Sequence, residues 1–428
     1  MAGPPNNASR LRSIVGGSAG NLVEWYDWYT YAAAALYFAP LFFPKGDQTA
    51  QLLQAAAVFA VGFFARPLGA WLMGLYADRA GRRAALTLSV GMMCFGSLVI
   101  ALTPGAAAIG VAAPIILVLA RVFQGLSLGG EYGASASYLS EMAGKHRRGF
   151  WSSFQYVTLI AGQLLALGVL IVCQRLLPAE AMAEWGWRIP FVIGAILAVI
   201  VFWMRRNIDE TPSFVAVQDS GAQKVATSDL FKKYPRETIT IVGLTAGGSM
   251  IFYVYTTYMQ KFLVNTAGFT REQATEISAS TLFFFMLAQP LCGWISDKVG
   301  RKHMLLFAFG AGALVTWPVM TALQNTTSVA VAFFLILGAM LIQSGYTSIS
   351  GVFKAELFPT NVRALGVALP YALANATFGG TAEYAALWFK SAGNESLFYV
   401  YASGLLAVGF LVVMTMPDTR KYSRILDD

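Results

Sequence analysis

The segment Gly74-Leu75-Tyr76-Ala77-Asp78-Arg79-Ala80-Gly81-Arg82-Arg83 returns in the second half of the chain as Gly293-Trp294-Ile295-Ser296-Asp297-Lys298-Val299-Gly300-Arg301-Lys302. Each copy lies between two long apolar stretches. A second marker repeats with nearly the same period, because Glu141 precedes Arg148 at the spacing by which Glu356 precedes Arg363. Two loops recurring together mean a duplicated molecule, and paired halves are a common way to build a central site reached alternately from two sides of a membrane.

The apolar stretches set the class. With 57% hydrophobic and 12% charged residues and a mean hydropathy of +0.58, the chain holds more apolar sequence than one soluble core could bury. Twelve windows of roughly 20 or more mainly apolar residues are each long enough to cross a bilayer as a helix. They fall near 13–43, 51–77, 84–103, 110–141, 150–177, 187–205, 238–264, 273–296, 303–323, 328–356, 363–390 and 396–416. The predicted fold is therefore an all-α membrane protein with twelve transmembrane helices in two pseudo-symmetric six-helix bundles. The domains expected are 1–205, a linker over 206–236, and 237–428 with a short tail.

A net charge of +8 could point to nucleic acid, but most of the basic residues cluster at the termini and in alternate loops, with Lys354 and Arg363 counted among them. That asymmetry places both termini and the 206–236 loop in the cytoplasm, with no nucleic-acid partner. Residues 1–12 carry no cleavable signal pattern, so the first span is expected to stay in the membrane. Cys94, Cys173 and Cys292 all lie in predicted spans, which implies no disulfide framework. His146 and His303 lack metal-spaced partners, and no Gly-rich phosphate loop with Lys-Ser/Thr is present. No metal, cofactor or enzymatic activity is expected.

Several motifs resemble those of the metabolite:proton symporter family within the major facilitator superfamily. They are Gly20-Asn21-Leu22-Val23-Glu24-Trp25-Tyr26-Asp27, Arg66-Pro67-Leu68-Gly69, Arg121-Val122-Phe123-Gln124-Gly125 and Gly129-Gly130-Glu131-Tyr132. Phe154–Leu159, Trp185–Pro190 and Thr257–Lys261 narrow the resemblance to members that carry organic dianions. Ala80 stands where those members have a histidine, so no role for that histidine carries over. The resemblance implies a proton-coupled symporter importing α-ketoglutarate or a similar dicarboxylate across a bacterial inner membrane by alternating access. Its partners would be a small organic acid, protons and membrane lipid, and it would work as a monomer. Citrate, shikimate or a related acid is the transport alternative, and a non-transporting nutrient sensor is the alternative from another class.

Ionisable groups deep in a bilayer are costly, so each is a functional candidate. Glu24 and Asp27 sit near mid-membrane on one face of the first span, where two close carboxylates cannot both ionise cheaply; with Glu131 they are the proton-coupling candidates. Permanent structural ion pairs are the plainer reading of the same residues. Arg66 on span two and Arg121 on span four present planar forks that match carboxylates. Arg121 serves proton coupling as readily as substrate. Tyr31, Gln155, Gln163, Tyr258, Lys261, Tyr346, Tyr371 and Asn375 complete the candidate substrate contacts, although Lys261 could merely snorkel and the tyrosines and amides could be ordinary interhelical bonds. Glu383, near the outer end of span eleven, reads as a gate or structural pair.

For the repeated loops, Asp78 is expected to accept amides at a helix N-terminus while Arg82 bridges to Glu141 near Arg148, locking the inner side. Asp297, Arg301, Glu356 and Arg363 would form the second-half equivalent. Fixing orientation by positive charge alone is the competing account of these loops.

Overall fold

Inside a bilayer the backbone has no water to bond, so a chain this apolar must satisfy its amides within helices. A computed structural model describes residues 7–80, 82–127, 147–206, 227–419 and 422–423. Side chains are described for these except at 7–19, 74–75, 77–80, 82–83, 85–86, 204–206, 227–229 and 360–361. Glu131, Glu141, the side chains of Asp78 and Arg82, and 207–226 of the expected linker thus lie outside the described residues.

The first half contributes α1 (Asn7–Phe42), α2 (Gln48–Ala80), α3 (Arg82–Leu102), α4 (Ala112–Ser127), α5 (Arg148–Leu176) and α6 (Ile189–Arg206). The second contributes α7 (Pro235–Asn265), α8 (Arg271–Val299), α9 (Arg301–Gln324) and α10 (Val329–Glu356). Then come α11, built from Thr360–Ala374, Asn375–Gly379 and Ala382–Ser391, and α12 (Glu395–Thr415). Eight of these helices are long and apolar enough to cross a membrane by length and composition alone, and α3 and α4 contain shorter apolar helices. A short helix, Thr227–Lys233, lies inside the expected linker.

Packing repeats the sequence duplication. In the first half α1 lies against α5, α2 against α4 and α3 against α6; in the second, α7 lies against α11, α8 against α10 and α9 against α12. The halves meet along α5 and α8 on one side and α2 and α11 on the other, the same contact with the roles exchanged. Large exposed side chains such as Phe64, Leu119, Trp203, Leu314 and Phe334 cover the outside, a surface suited to lipid.

Three spans read as continuous in the sequence are interrupted. α7 opens into a π-helical turn at Val254–Tyr258 and α11 into another at Asn375–Gly379. α10 breaks between Thr347 and Ser350. A π turn leaves ladder carbonyls that need other donors, and the Tyr29 hydroxyl supplies one to the Thr256 carbonyl at 2.7 Å, tying α1 to α7.

At the end that carries the α8–α9 loop, the halves touch backbone to backbone. A Cβ on Gly293 would fall 2.5 Å from the Gly149 carbonyl oxygen, so only glycine allows this approach. Gly293→Leu is therefore expected to part α5 from α8 there. A single-cysteine reporter at Phe150, with Cys94, Cys173 and Cys292 replaced, should become more reactive to a polar thiol reagent; unchanged labelling would contradict this packing account.

Candidate functional site

α1 places Asp27, 1% exposed, against α3 and α4. Ser97 donates to its Oδ1, and the Gln124 Nε2 donates to Oδ2 at 2.6 Å and reaches the Ser97 Oγ at 3.1 Å. On its other side the Gln124 Oε1 accepts from Arg121 Nη1 at 2.8 Å. The acid and the guanidinium are thus linked through an amide. One turn of α4 separates Arg121 from Gln124, which is what lets them share a face.

Arg121 is fully buried, yet its Nε and Nη2 have no protein partner. Its guanidinium lies 3.8 Å from the Trp28 ring centroid and 4.5 Å from that of Tyr31. Arg66, arriving from α2, also reaches Trp28, at 3.9 Å, and Phe63, at 4.1 Å; its Nε likewise lacks a partner. Two cations are therefore held around one indole. Aromatic faces attract cations most where water is excluded, by about 2 kcal/mol or more, but they do not cancel charge. The electrostatic neighbours of Arg66 are Tyr253, Tyr371 and Glu24, so the second half closes over the same site.

Glu24 and Asp27, expected to compete for one proton, meet different cations. Both are buried, but Glu24 neighbours Arg66 whereas Asp27 neighbours Arg121. Three residues along a helix leave an angular offset, and here it turns the two acids toward different cations.

From the second half, Tyr253 on α7 meets Phe63 edge to face at 5.2 Å and neighbours Asn375 of the α11 π turn. The Tyr371 ring lies 4.2 Å from the Lys354 Nζ, which also bonds the Ser350 Oγ at 2.8 Å. Lys354 and Arg363, counted in the sequence as loop charges, are in fact buried. The Arg363 Nε donates to the Ala355 and Phe358 carbonyls, both at 3.2 Å. Tyr346 packs between Phe309 and Phe353 beneath Gly248. Gln163 is buried with neither amide atom partnered, and Gln155 is 5% exposed.

Three candidates are engaged elsewhere. The Tyr31 hydroxyl donates to the Ala55 carbonyl at 3.0 Å, so its ring rather than its oxygen serves Arg121. Tyr258 packs with Phe262 and Phe398 near Glu395 and Tyr399. Lys261 does not snorkel: at 0% exposure it pairs with Glu383 at 2.8 Å, joining α7 to α11. The residues that sequence reasoning gave no role are Trp28, Ser97, Gln124 and Lys354. Gln124 stood inside a quoted motif and Trp28 directly follows another, which was the available signal.

At the signature-loop end Asp297 accepts from the Gly149 and Phe150 amides at 2.8 and 2.9 Å, capping α5 from across the interface. Arg301 donates to Asp297 at 2.8 Å and lies 3.6 Å from Glu356, which accepts from Thr419 at 2.6 Å. Arg148 reaches Ser423 in the tail at 3.5 Å. At the opposite end Gln174 bonds Tyr37 and Thr275 at 2.7 and 3.1 Å, and Arg175 pairs with Glu276.

Twelve helices in two like halves, with buried charges gathered where the halves meet, define a membrane transporter of the major facilitator type. The family profile described as "Sugar (and other) transporter" matches residues 14–228 and again 217–424. An α-ketoglutarate permease of Escherichia coli K12 is 54% identical over 97% of this chain and 96% of its own length. A citrate-proton symporter of Klebsiella pneumoniae is 31% identical over 87% and 84%, and an E. coli proline/betaine transporter 29% over 95% and 83%. The solved structure of the proton:xylose symporter XylE superposes with a TM-score of 0.77 at 18% identity, covering 98% of each chain, which speaks for the fold. The chain belongs to the sugar (and other) transporter family of multi-pass membrane proteins.

Removing one partner of a buried ion pair strands the other charge, at about 3–5 kcal/mol, whereas replacing both with apolar groups is often neutral. Lys261→Met is thus expected to lower the melting temperature in detergent sharply, and Lys261→Met/Glu383→Met to restore it together with substrate binding. A stable double variant without binding would make Lys261 a substrate contact instead.

Proposed function

We propose that the chain is a proton-coupled symporter that imports α-ketoglutarate or a similar dicarboxylate across a bacterial inner membrane. Both termini and the signature loops then face the cytoplasm, and the two six-helix bundles, joined by a linker over 206–236, rock about the site at Trp28. The working unit in this reading is a single chain.

The observation that carries this reading is the pair of guanidiniums around Trp28, each with an unpartnered buried donor. A guanidinium keeps its charge and offers a two-pronged fork to a carboxylate. Two such forks suit two carboxylates. Gln163, Tyr253 and Asn375 add hydrogen-bonding groups for a keto oxygen. The permease at 54% identity supports the same substrate.

Charge balance supplies the coupling. With Glu24 and Asp27 ionised, the two acids offset Arg66 and Arg121, and an entering dianion has no counter-charge. Each proton taken by an acid frees one guanidinium charge, so two protons and one dianion return the site to neutrality. The membrane potential points the same way: an inside-negative potential opposes an unaccompanied dianion by roughly 2.3 kcal/mol per charge per 100 mV, an opposition that two protons cancel.

The direct test is uptake of labelled α-ketoglutarate into proteoliposomes under an imposed pH gradient, with mono-, di- and tricarboxylates as competitors. Dicarboxylates of similar length should compete best. The citrate-proton symporter relative keeps a second reading in view, and citrate outcompeting α-ketoglutarate would favour it; no carboxylate uptake at all would refute both.

Two variants sharpen the assignment. Arg66→Lys is expected to weaken α-ketoglutarate binding by at least about tenfold in calorimetry, because a point charge does not reproduce the fork. Near-normal affinity would move the contact to Lys354. Asp27→Asn should abolish accumulation driven by the pH gradient while exchange of substrate across the membrane persists in part; continued uphill accumulation would remove Asp27 as the proton site.

A further inference from the structure

We propose that Gln124 is the relay that carries the protonation state of Asp27 to Arg121. This rests on the reading of Asp27 as a proton site and Arg121 as a substrate cation. Gln124 is completely buried between the two, donating to Asp27 and accepting from Arg121.

Chemistry fixes the direction of that amide. A guanidinium can only donate, and an ionised carboxylate can only accept, so Oε1 must face Arg121 and Nε2 must face Asp27. Protonation reverses one end of this arrangement. A neutral Asp27 carries an O–H that needs an acceptor, and the Gln124 oxygen becomes one when the amide rotates by half a turn. Nε2 would then face the guanidinium, donor against donor, and the Arg121–Gln124 bond is lost. Arg121 Nη1 joins Nε and Nη2, which already have no partner, and the whole fork is released to a carboxylate. A proton arriving at Asp27 thereby raises the affinity of Arg121 for an anion, the sign that symport requires.

The surroundings leave few other routes. Among the described residues, the charged and titratable groups that interact with Asp27 include Arg121 on α4, Cys94 on α3 and Tyr26 on α1. The Tyr26 hydroxyl is committed to the Pro190 carbonyl at 2.8 Å, and Gly194 of α6 lies beside the Asp27 Oδ1, where a Cβ would come within 3.0 Å of it. Ser97 is the other hydrogen-bond partner of Asp27 among the described residues, and it shares the Asp27 carboxylate with Gln124. α3 also makes room for the relay: a Cβ on Gly96 would lie 2.4 Å from the Gln124 Cγ.

The test measures α-ketoglutarate affinity of the purified full chain at acidic and alkaline pH, alongside accumulation driven by a pH gradient in vesicles. In the unaltered protein, affinity should rise on acidification. Gln124→Leu should lose that pH dependence and the uphill accumulation, while its alkaline affinity is no weaker than before, because Arg121 is no longer restrained. Structural damage alone would instead weaken binding at every pH. Gly96→Ala, which keeps the amide but displaces it, should flatten the profile in the same way and carries the test if Gln124→Leu does not fold.

Retention of the pH dependence by both variants would overturn the relay and leave the proposed function standing. Its loss in Ser97→Ala but not in Gln124→Leu would also overturn the relay, because the proton would then be sensed through the hydroxyl. An unaltered protein that binds no carboxylate at either pH would refute the proposed function itself.

Discussion

Two guanidinium groups beside one another in a membrane interior require counter-charge, and the remainder of the site follows from how Arg66 and Arg121 obtain it. Trp28 holds both within 4 Å of its ring centroid. The indole supplies attraction and excludes water, but it provides no ion to neutralise either cation. Glu24 near Arg66 and Asp27 near Arg121 do so from the same helix. Each cation thus has its own acid, and a substrate anion must compete with that acid or arrive with the proton that neutralises it. Coupling in this account is a consequence of charge balance in a low-dielectric site, with the Gln124 amide standing between Asp27 and Arg121.

The two ends of the bundle are tied by different chemistry. At the signature-loop end, carboxylates do the work: Asp297 caps α5 from the other half, and Arg301, Glu356 and Thr419 hold that loop in place. A charged cap needs close geometry, so a rocking motion would break it as a unit. At the opposite end the halves are tied by the neutral bond from Gln174 to Thr275 and by the Arg175–Glu276 pair, which is open to water and so screened. Neutral bonds between uncharged groups are individually weaker than charge-assisted ones.

Much of the fold was legible because it follows from periodic features: apolar length gave the spans and the repeated loop gave the two halves. The same repeat brought Asp297, Arg301 and Glu356 to one place. Partnership was harder to read. Lys261 and Glu383 are far apart in sequence, and only the packing of α7 on α11 joins them, so the lysine's position near a span end looked like snorkelling. Lys354 and Arg363 sit beside a loop in sequence, yet both are buried, Lys354 on the segment of α10 that follows its break at Ser348–Ile349 and Arg363 on α11. Glu24 and Asp27 share a helical face in projection, but the neighbours that each meets depend on α2 and α4. Gln124 had no charge to draw notice; its meaning comes from lying between two groups that do.

The central claim is that anion binding and proton binding are one event at this site. Calorimetry of α-ketoglutarate binding to the purified chain, at fixed pH in buffers of different ionisation enthalpy, measures the protons taken up with the ligand. The account predicts net proton uptake, diminished in Asp27→Asn. Binding with a heat independent of the buffer would mean that the dianion enters without protons, and would contradict the claim.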